Sequence, residues 1–284
     1  MGREPSQVTA RTTVAAATSP WVAERVAGPP RTVPVVARGS HAAYVDVGGA
    51  WIGVLAARAV WLPCGLRTTR LVLPEAGDAA VVGGGSVSWG RYDVRVRRLV
   101  DPGVPRLPGL ERSEPVPAGA YAAYDDSLAA VRAELPEAAL SRLADGAPAA
   151  VDALLGRGGG LTPVGDDVLA GWLVTRRAAG RPCGRVADAV EREVAAGRTA
   201  PLSATLLLRA AVGETIPQLR DVLQARHAGE SVEPAMSRLL AVGHTSGAGL
   251  ALGSALALDD PLSVTFSARP ANVSVEDVTV TRVV

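Results

Sequence analysis

Gly158-Gly159-Gly160-Leu161-Thr162-Pro163-Val164-Gly165-Asp166-Asp167-Val168-Leu169-Ala170-Gly171 is the stretch on which the reading of this chain turns. Three glycines let the backbone approach a ligand closely and take positive φ. Thr162-Pro163 is a stiff turn, and proline suits the start of a helix. The spacing predicts a helix over about 166–179, with Asp166 and Asp167 in or beside its first turn, at the positive end of the helix dipole. The two carboxylates can cap the helix, or hold Mg²⁺ together with substrate oxygens. Alternatively the free N–H groups can bind an anion. No Gly-Lys-Ser/Thr follows, so the segment is not a P-loop. No G-x-G-x-x-G follows a strand, so it is not a dinucleotide fingerprint.

C-terminal to this segment, helical periodicity predicts helices at about 184–197, 201–212, 215–226, 232–241 and 246–257, and on its N-terminal side at 121–135 and 147–155. Connections are short, which predicts antiparallel neighbours. From Val33 to about Val100 the pattern is different. Short Val-rich runs predict strands at Pro34–Ala37, Ala43–Val47, Trp51–Leu55, Thr69–Leu73, Val87–Trp89 and Tyr92–Arg97. The last alternates with period two, placing Val94 and Val96 on one face. Gly48-Gly49 between two apolar runs reads as a hairpin turn. Asp101–Pro117 carries five prolines and reads as a linker.

The expected fold is therefore α+β. It comprises an N-terminal extension over 1–32 with a short helix at Trp21–Val26, and a β-rich barrel- or sandwich-like domain over 33–117. A multi-helix domain follows over 118–258, and a short C-terminal β return over 259–284, where Leu262–Phe266 and Val278–Thr281 read as strands.

Composition narrows the chemistry. The 284 residues carry a net charge of +1, and all 29 basic residues are Arg. A balanced charge gives no reason to expect nucleic acid or a membrane surface as partner. The absence of Lys removes a Schiff base and a P-loop cation. Cys64 and Cys183 stand alone without metal spacing, so neither a disulfide framework nor a zinc site is expected. No secretory leader and no apolar run long enough for a membrane span are read, and the expected location is cytoplasmic.

Two further segments read as turns into helices, and a third lies in the β region. Gly243-His244-Thr245-Ser246-Gly247-Ala248-Gly249-Leu250 partly echoes the first stretch, as two helix N-termini facing one site would; chance in a Gly/Ala/Leu-rich chain is the other reading. His244 serves there as a base, a hydrogen-bond donor or a plain cap. Gly197-Arg198-Thr199-Ala200-Pro201-Leu202-Ser203 offers Arg198 as a carboxylate or phosphate clamp, with Thr199 and Ser203 as hydroxyl donors, or else an ordinary N-cap. Arg38-Gly39-Ser40-His41 brings a second histidine from the β region, or is a surface turn.

At these residues the chain resembles the AllH-like family of oxamate carbamoyltransferase subunits, a bacterial family of formerly unknown function. The resemblance lies in Gly160–Asp167, Thr199–Ser203 and Gly243–Gly247, with a weaker likeness at Gly39–His41, and spans roughly residues 33–258. It implies a transferase subunit in allantoin or purine catabolism, interconverting oxalurate plus phosphate with oxamate plus carbamoyl phosphate. Some family members are labelled only as putative carboxylases. Asp166, Asp167 and His244 are then the catalytic candidates. Gly160, Thr162, Gly165, Arg198, Thr199, Ser203, Thr245, Ser246 and His41 are the candidates for binding a small carboxylate or carbamoyl phosphate. Asp166 and Asp167 are the candidate ligands of Mg²⁺, and partner subunits are implied. A non-catalytic ligand-binding or assembly subunit is the alternative. Gly249 stands where the family usually carries Asp, and Ala42 where it tends to carry Ser.

Overall fold

A computed structural model describes residues 11–75, 77–110 and 125–259. The expected strands of the C-terminal return, at 262–266 and 278–281, lie outside the described residues. The described elements are nine strands and ten helices, an α+β architecture. The strands are β1 (Thr12–Thr18), β2 (Arg31–Val33), β3 (Val35–Arg38), β4 (Ala42–Val47), β5 (Ala50–Leu55), β6 (Gly65–Thr68), β7 (Ala80–Gly83), β8 (Ser86–Trp89) and β9 (Tyr92–Leu99). They form one sheet in the order β2-β7-β8-β9-β1-β6-β5-β4-β3. Its two edge strands, β2 and β3, meet at Pro34, whose carbonyl accepts from Asp46 N at 3.2 Å, so the sheet is a nearly closed barrel.

The Gly48-Gly49 reading holds. Both residues have positive φ, 66° and 85°, and Val47 pairs with Ala50 across the β4–β5 hairpin, as a two-residue primed turn requires. One expected strand fails, and four strands (β1, β2, β6 and β7) were not expected. Thr69–Leu73 is not a strand; pairing stops at Thr68, whose hydroxyl turns to accept no partner strand but donates to the Leu55 and Arg70 carbonyls. Conversely, Thr12–Thr18 is a strand between β9 and β6, in the stretch expected to be an N-terminal extension and interrupted by three alanines. Its Val14, Ala16 and Thr18 are buried, so the strand is specified by a period of two in small residues that fit the barrel interior. Helix α1 (Pro20–Ala27), capped by Ser19, agrees with the expected short helix and buries Val22 and Val26.

The remaining helices are α2 (Asp125–Ala133), α3 (Glu137–Ala144), α4 (Ala149–Leu154), α5 (Val164–Ala178), α6 (Gly184–Ala195), α7 (Pro201–Ala211), α8 (Pro217–Ala228), α9 (Glu233–Leu240) and α10 (Ser246–Ala257). Only α3 is missing from the sequence reading, although Ala139, Leu140 and Leu143 give it an inward stripe. The Pro-rich segment after β9 is strapped to the helices as far as Leu110. Val104 N donates to Gly213 O, Thr215 N to Pro102 O and Leu107 N to Ala178 O, at 2.8–3.1 Å. The barrel meets the helices through α7, where the Thr205 hydroxyl accepts from Trp51 N at 3.1 Å and Arg209 stacks on Trp21.

At the centre of the helices, α5 and α10 run side by side in the same direction. Thr162 meets Ser246, Asp167 meets Gly249, Val168 meets Gly253, and Thr175 meets Ser254. A Cβ added at Gly171 would lie 2.2 Å from Leu250 O, and one at Gly253 2.0 Å from Val168 O. Glycine here permits backbone contact that no other residue allows. Gly253→Val is expected to lower the unfolding free energy by about 3 kcal/mol, measured by urea denaturation.

Candidate functional site

Parallel packing places the N-termini of α5 and α10 at one end, and each carries roughly half a positive charge. Asp166 and Asp167 lie in the first turn of α5, yet neither caps it. They have separate fates.

Asp166 is a structural knot. Its Oδ1 accepts from Gly156 N at 2.6 Å. Its Oδ2 accepts from Ser203 Oγ at 2.6 Å and from Thr199 Oγ1. The carboxylate thus ties α5 to the α4–α5 loop and to the start of α7. Gly156 is held at φ 71° with space for a Cβ closed by Arg198 O, 2.4 Å away. Burial pushes the Asp166 carboxyl above its usual range, and the three hydrogen bonds pull it back. Thr199 and Ser203, candidates for substrate contact, are engaged with this carboxylate.

Asp167 is different. It is buried, and its Oδ2 has no hydrogen-bond partner. Burial raises its carboxyl to about 8; the neighbouring Ser246 hydroxyl opposes the rise and the Asp166 charge adds to it. An unpartnered buried oxygen costs about 1–3 kcal/mol, and the residue faces a cavity of about 350 Å³. Thr162 and Ser246 flank it, their hydroxyls 3.0 Å apart, and both line the same cavity.

The cavity lies between barrel and helices. Tyr44 of β4, Leu55 of β5 and the 59–63 loop form the barrel wall; α5, α7, α10 and the α7–α8 turn form the rest. Tyr44 keeps its proton, since burial pushes its phenol up to about 12. Glu214 also lines the cavity but is neutralised by a two-point pair with Arg209, both contacts 2.9 Å. Sequence reasoning missed Tyr44, Glu214 and the leucine wall, since they come from four separated stretches joined only by the barrel–helix packing.

The other candidates are placed elsewhere. Arg198 is exposed and pairs with Asp152 and Glu193. His244 and His41 are exposed, and neither they nor Arg198 line the cavity. Thr245 is half-buried and its carbonyl accepts from Gly249 N. Gly160 is an exposed loop residue with φ 86°. Gly165 packs on Leu154 O, where a Cβ would come within 1.9 Å. Gly249 has a packing reason: a Cβ there would sit 2.8 Å from Asp167 Cβ. Cys64 and Cys183 are free thiols, and burial pushes Cys64 up to about 12.

No group of three or more His, Cys, Asp or Glu that suits a metal ion occurs among the described residues. The Asp166–Asp167 pair does not fit the Mg²⁺ expectation as its side chains stand. Both Asp166 oxygens accept protein donors, and a cation would have to displace two hydroxyl groups that point protons at it.

Two outcomes follow. Asp166→Ala strands three donors and is expected to cost on the order of 3 kcal/mol in chemical denaturation. Asp167 acts in the opposite sense. Its native value lies above the unfolded one, so the folded protein holds a proton that the unfolded chain releases. The associated stability is fully present below about pH 4 and is lost as pH rises to about 8. Asp167→Asn is expected to raise the melting temperature, with a gap over the wild type that widens between pH 4 and 8 in a thermal-melt series.

Residues 154–258 match the family model described as oxamate carbamoyltransferase subunit AllH. The match holds α5, α7 and α10 and leaves out Gly39–His41, so it is narrower than the span of resemblance read from the sequence. No curated protein and no solved structure matches the chain. Among the described residues no helix is long and apolar enough to cross a membrane.

Proposed function

We propose, from the AllH match over residues 154–258, that this chain is a subunit of an oxamate carbamoyltransferase-type enzyme and that Asp167 acts on the substrate amide. In the forward sense the amide nitrogen of oxamate bonds to the carbamoyl carbon, phosphate leaves, and the nitrogen loses a proton. A group with its value near 8 is well matched to take that proton at neutral pH. The observation that carries the reading is Asp167 itself: a buried carboxyl in the cavity wall whose Oδ2 has no hydrogen-bond partner. A polar atom left without a partner costs stability, and such costs are retained where function uses the atom. The α5 and α10 N-termini supply partial positive charge for a developing oxyanion.

One observation favours a shared site. Among the described residues lining the cavity there is no Arg and no His. The phosphate end of carbamoyl phosphate then has no cation among these lining residues to meet, and partner subunits supply it. Placement in purine catabolism and a cytoplasmic setting belong to this same reading.

The test is phosphate release from carbamoyl phosphate and oxamate by the chain alone and by the complex purified from its native host. Turnover is expected only in the complex. There Asp167→Asn should reduce kcat by about 10²–10⁴-fold without lowering the melting temperature, and wild-type kcat/KM should rise with pH up to about 8. Full activity of Asp167→Asn contradicts the assignment.

A further inference from the structure

Among the described residues, six polar side chains line the cavity between barrel and helices: Tyr44, Thr162, Asp167, Glu214, Thr215 and Ser246. Four of them are engaged. The Thr162 and Ser246 hydroxyls share a hydrogen bond of 3.0 Å, Ser246 also meets the Asp167 carboxyl, and Glu214 is paired with Arg209. The hydroxyls of Tyr44 and Thr215 have no hydrogen-bond partner among the described residues. Thr215 is buried and also lines a small neighbouring cleft with Asp101 and Pro102. Of these two spaces, Tyr44 lines only the cavity.

The sequence around Tyr44 turns it toward the helices. Strand β4 buries Ala43, Val45 and Val47 in the barrel core, so by the period of two Tyr44 stands on the outer face. Gly53 is its partner across the β4–β5 pair, and a Cβ there would lie 3.0 Å from Tyr44 Cε1. The glycine leaves room for the ring, and the Trp51 ring packs beside it at 6.3 Å between centroids. Burial holds the phenol's proton up to about pH 12, so the hydroxyl is a donor throughout the neutral range.

Oxamate carries a carboxylate next to its amide. A carboxylate without donors in a largely aliphatic wall is strongly unfavourable. The two helix ends offer only roughly half a positive charge each, and no Arg or His lines the space among the described residues. A phenol answers this need, because an O–H donated to a carboxylate makes a short bond roughly twice as strong as a neutral one. We propose that Tyr44 binds the substrate carboxylate and sets the preference of the site for an acid amide, with Asp167 acting on the amide from α5. This rests on the reading that the substrate is of the oxamate type. Tyr44 lies outside residues 154–258 of the family match, so the barrel completes a site that the matched helices only begin.

The experiment is calorimetric titration of the full chain, wild type and Tyr44→Phe, with oxamate and with oxamide, in which a second amide replaces the carboxylate. The wild type is expected to bind oxamate at least tenfold more tightly than oxamide. Tyr44→Phe keeps the ring and removes only the hydroxyl, so its melting temperature should match that of the wild type. It should weaken oxamate binding at least tenfold and oxamide binding by less than about threefold; a merely structural role would weaken both alike. Equal oxamate affinity in the wild type and Tyr44→Phe overturns the proposal, as does failure of the wild type to bind millimolar oxamate. A lowered melting temperature in Tyr44→Phe assigns the hydroxyl a structural partner and counts against it too. The two readings fail separately. Phosphate release by the complex lost in Asp167→Asn, with oxamate binding intact in Tyr44→Phe, sinks the role of Tyr44 alone. Full activity of Asp167→Asn, with oxamate binding lost in Tyr44→Phe, sinks the proton assignment alone.

Discussion

The contact of α5 with α10 is the constraint on which the rest of the structure depends. Two helices of like direction are brought to backbone contact by Gly171, Gly249 and Gly253. Parallel dipoles repel weakly at such separations, and packing at interior density offsets this. The consequence is electrostatic. Two positive helix ends share one corner, and Asp167, on the first turn of α5, is pressed against Gly249 and out of water. A larger residue at any of the three positions would open the helices and let solvent reach the carboxyl.

The adjacent acids show how the same residue type serves opposite ends. Asp166 receives three donors from its own chain and holds three segments in place. Asp167 receives too little to satisfy it, and the fold retains it against a cost. Burial outweighs the helix end for Asp167, because desolvation acts on the whole charge and the dipole supplies only a fraction of one. Asp166 also raises Asp167 through its own negative charge, so the knot helps set the proton affinity of its neighbour.

Much of this was legible in the sequence. The period-two run Tyr92–Arg97, the Gly48-Gly49 turn and the helix starts at Pro201 and Ser246 have local causes, and local causes can be read. The central strand Thr12–Thr18 was hidden because three alanines, which strands disfavour, interrupt the strand-favouring Thr12, Thr13, Val14 and Thr18; the barrel interior asks for small side chains at Ala16 and Thr18. The candidate site was half legible. The gathering of Thr162, Asp166, Asp167, Thr199, Ser203 and Ser246 near the two helix starts follows from the repeated glycine-to-hydroxyl pattern. What was hidden is partnership: that Thr199 and Ser203 face Asp166, that Arg198 faces Asp152 and Glu193, and that Gly249 faces Asp167. Charge and hydroxyl content say which chemistry is available, whereas packing, mostly between segments far apart in the chain, decides which groups consume one another.

The central claim is that Asp167 is a buried acid holding its proton near neutrality beside an ordinary-looking twin. The most direct measurement is a ¹³C NMR titration of carboxyl-labelled aspartates, with Asp167 assigned by its loss in Asp167→Asn. The account predicts that the Asp167 carboxyl titrates near pH 8. A midpoint at or below about 4, the usual range for an aspartate in water, would contradict it.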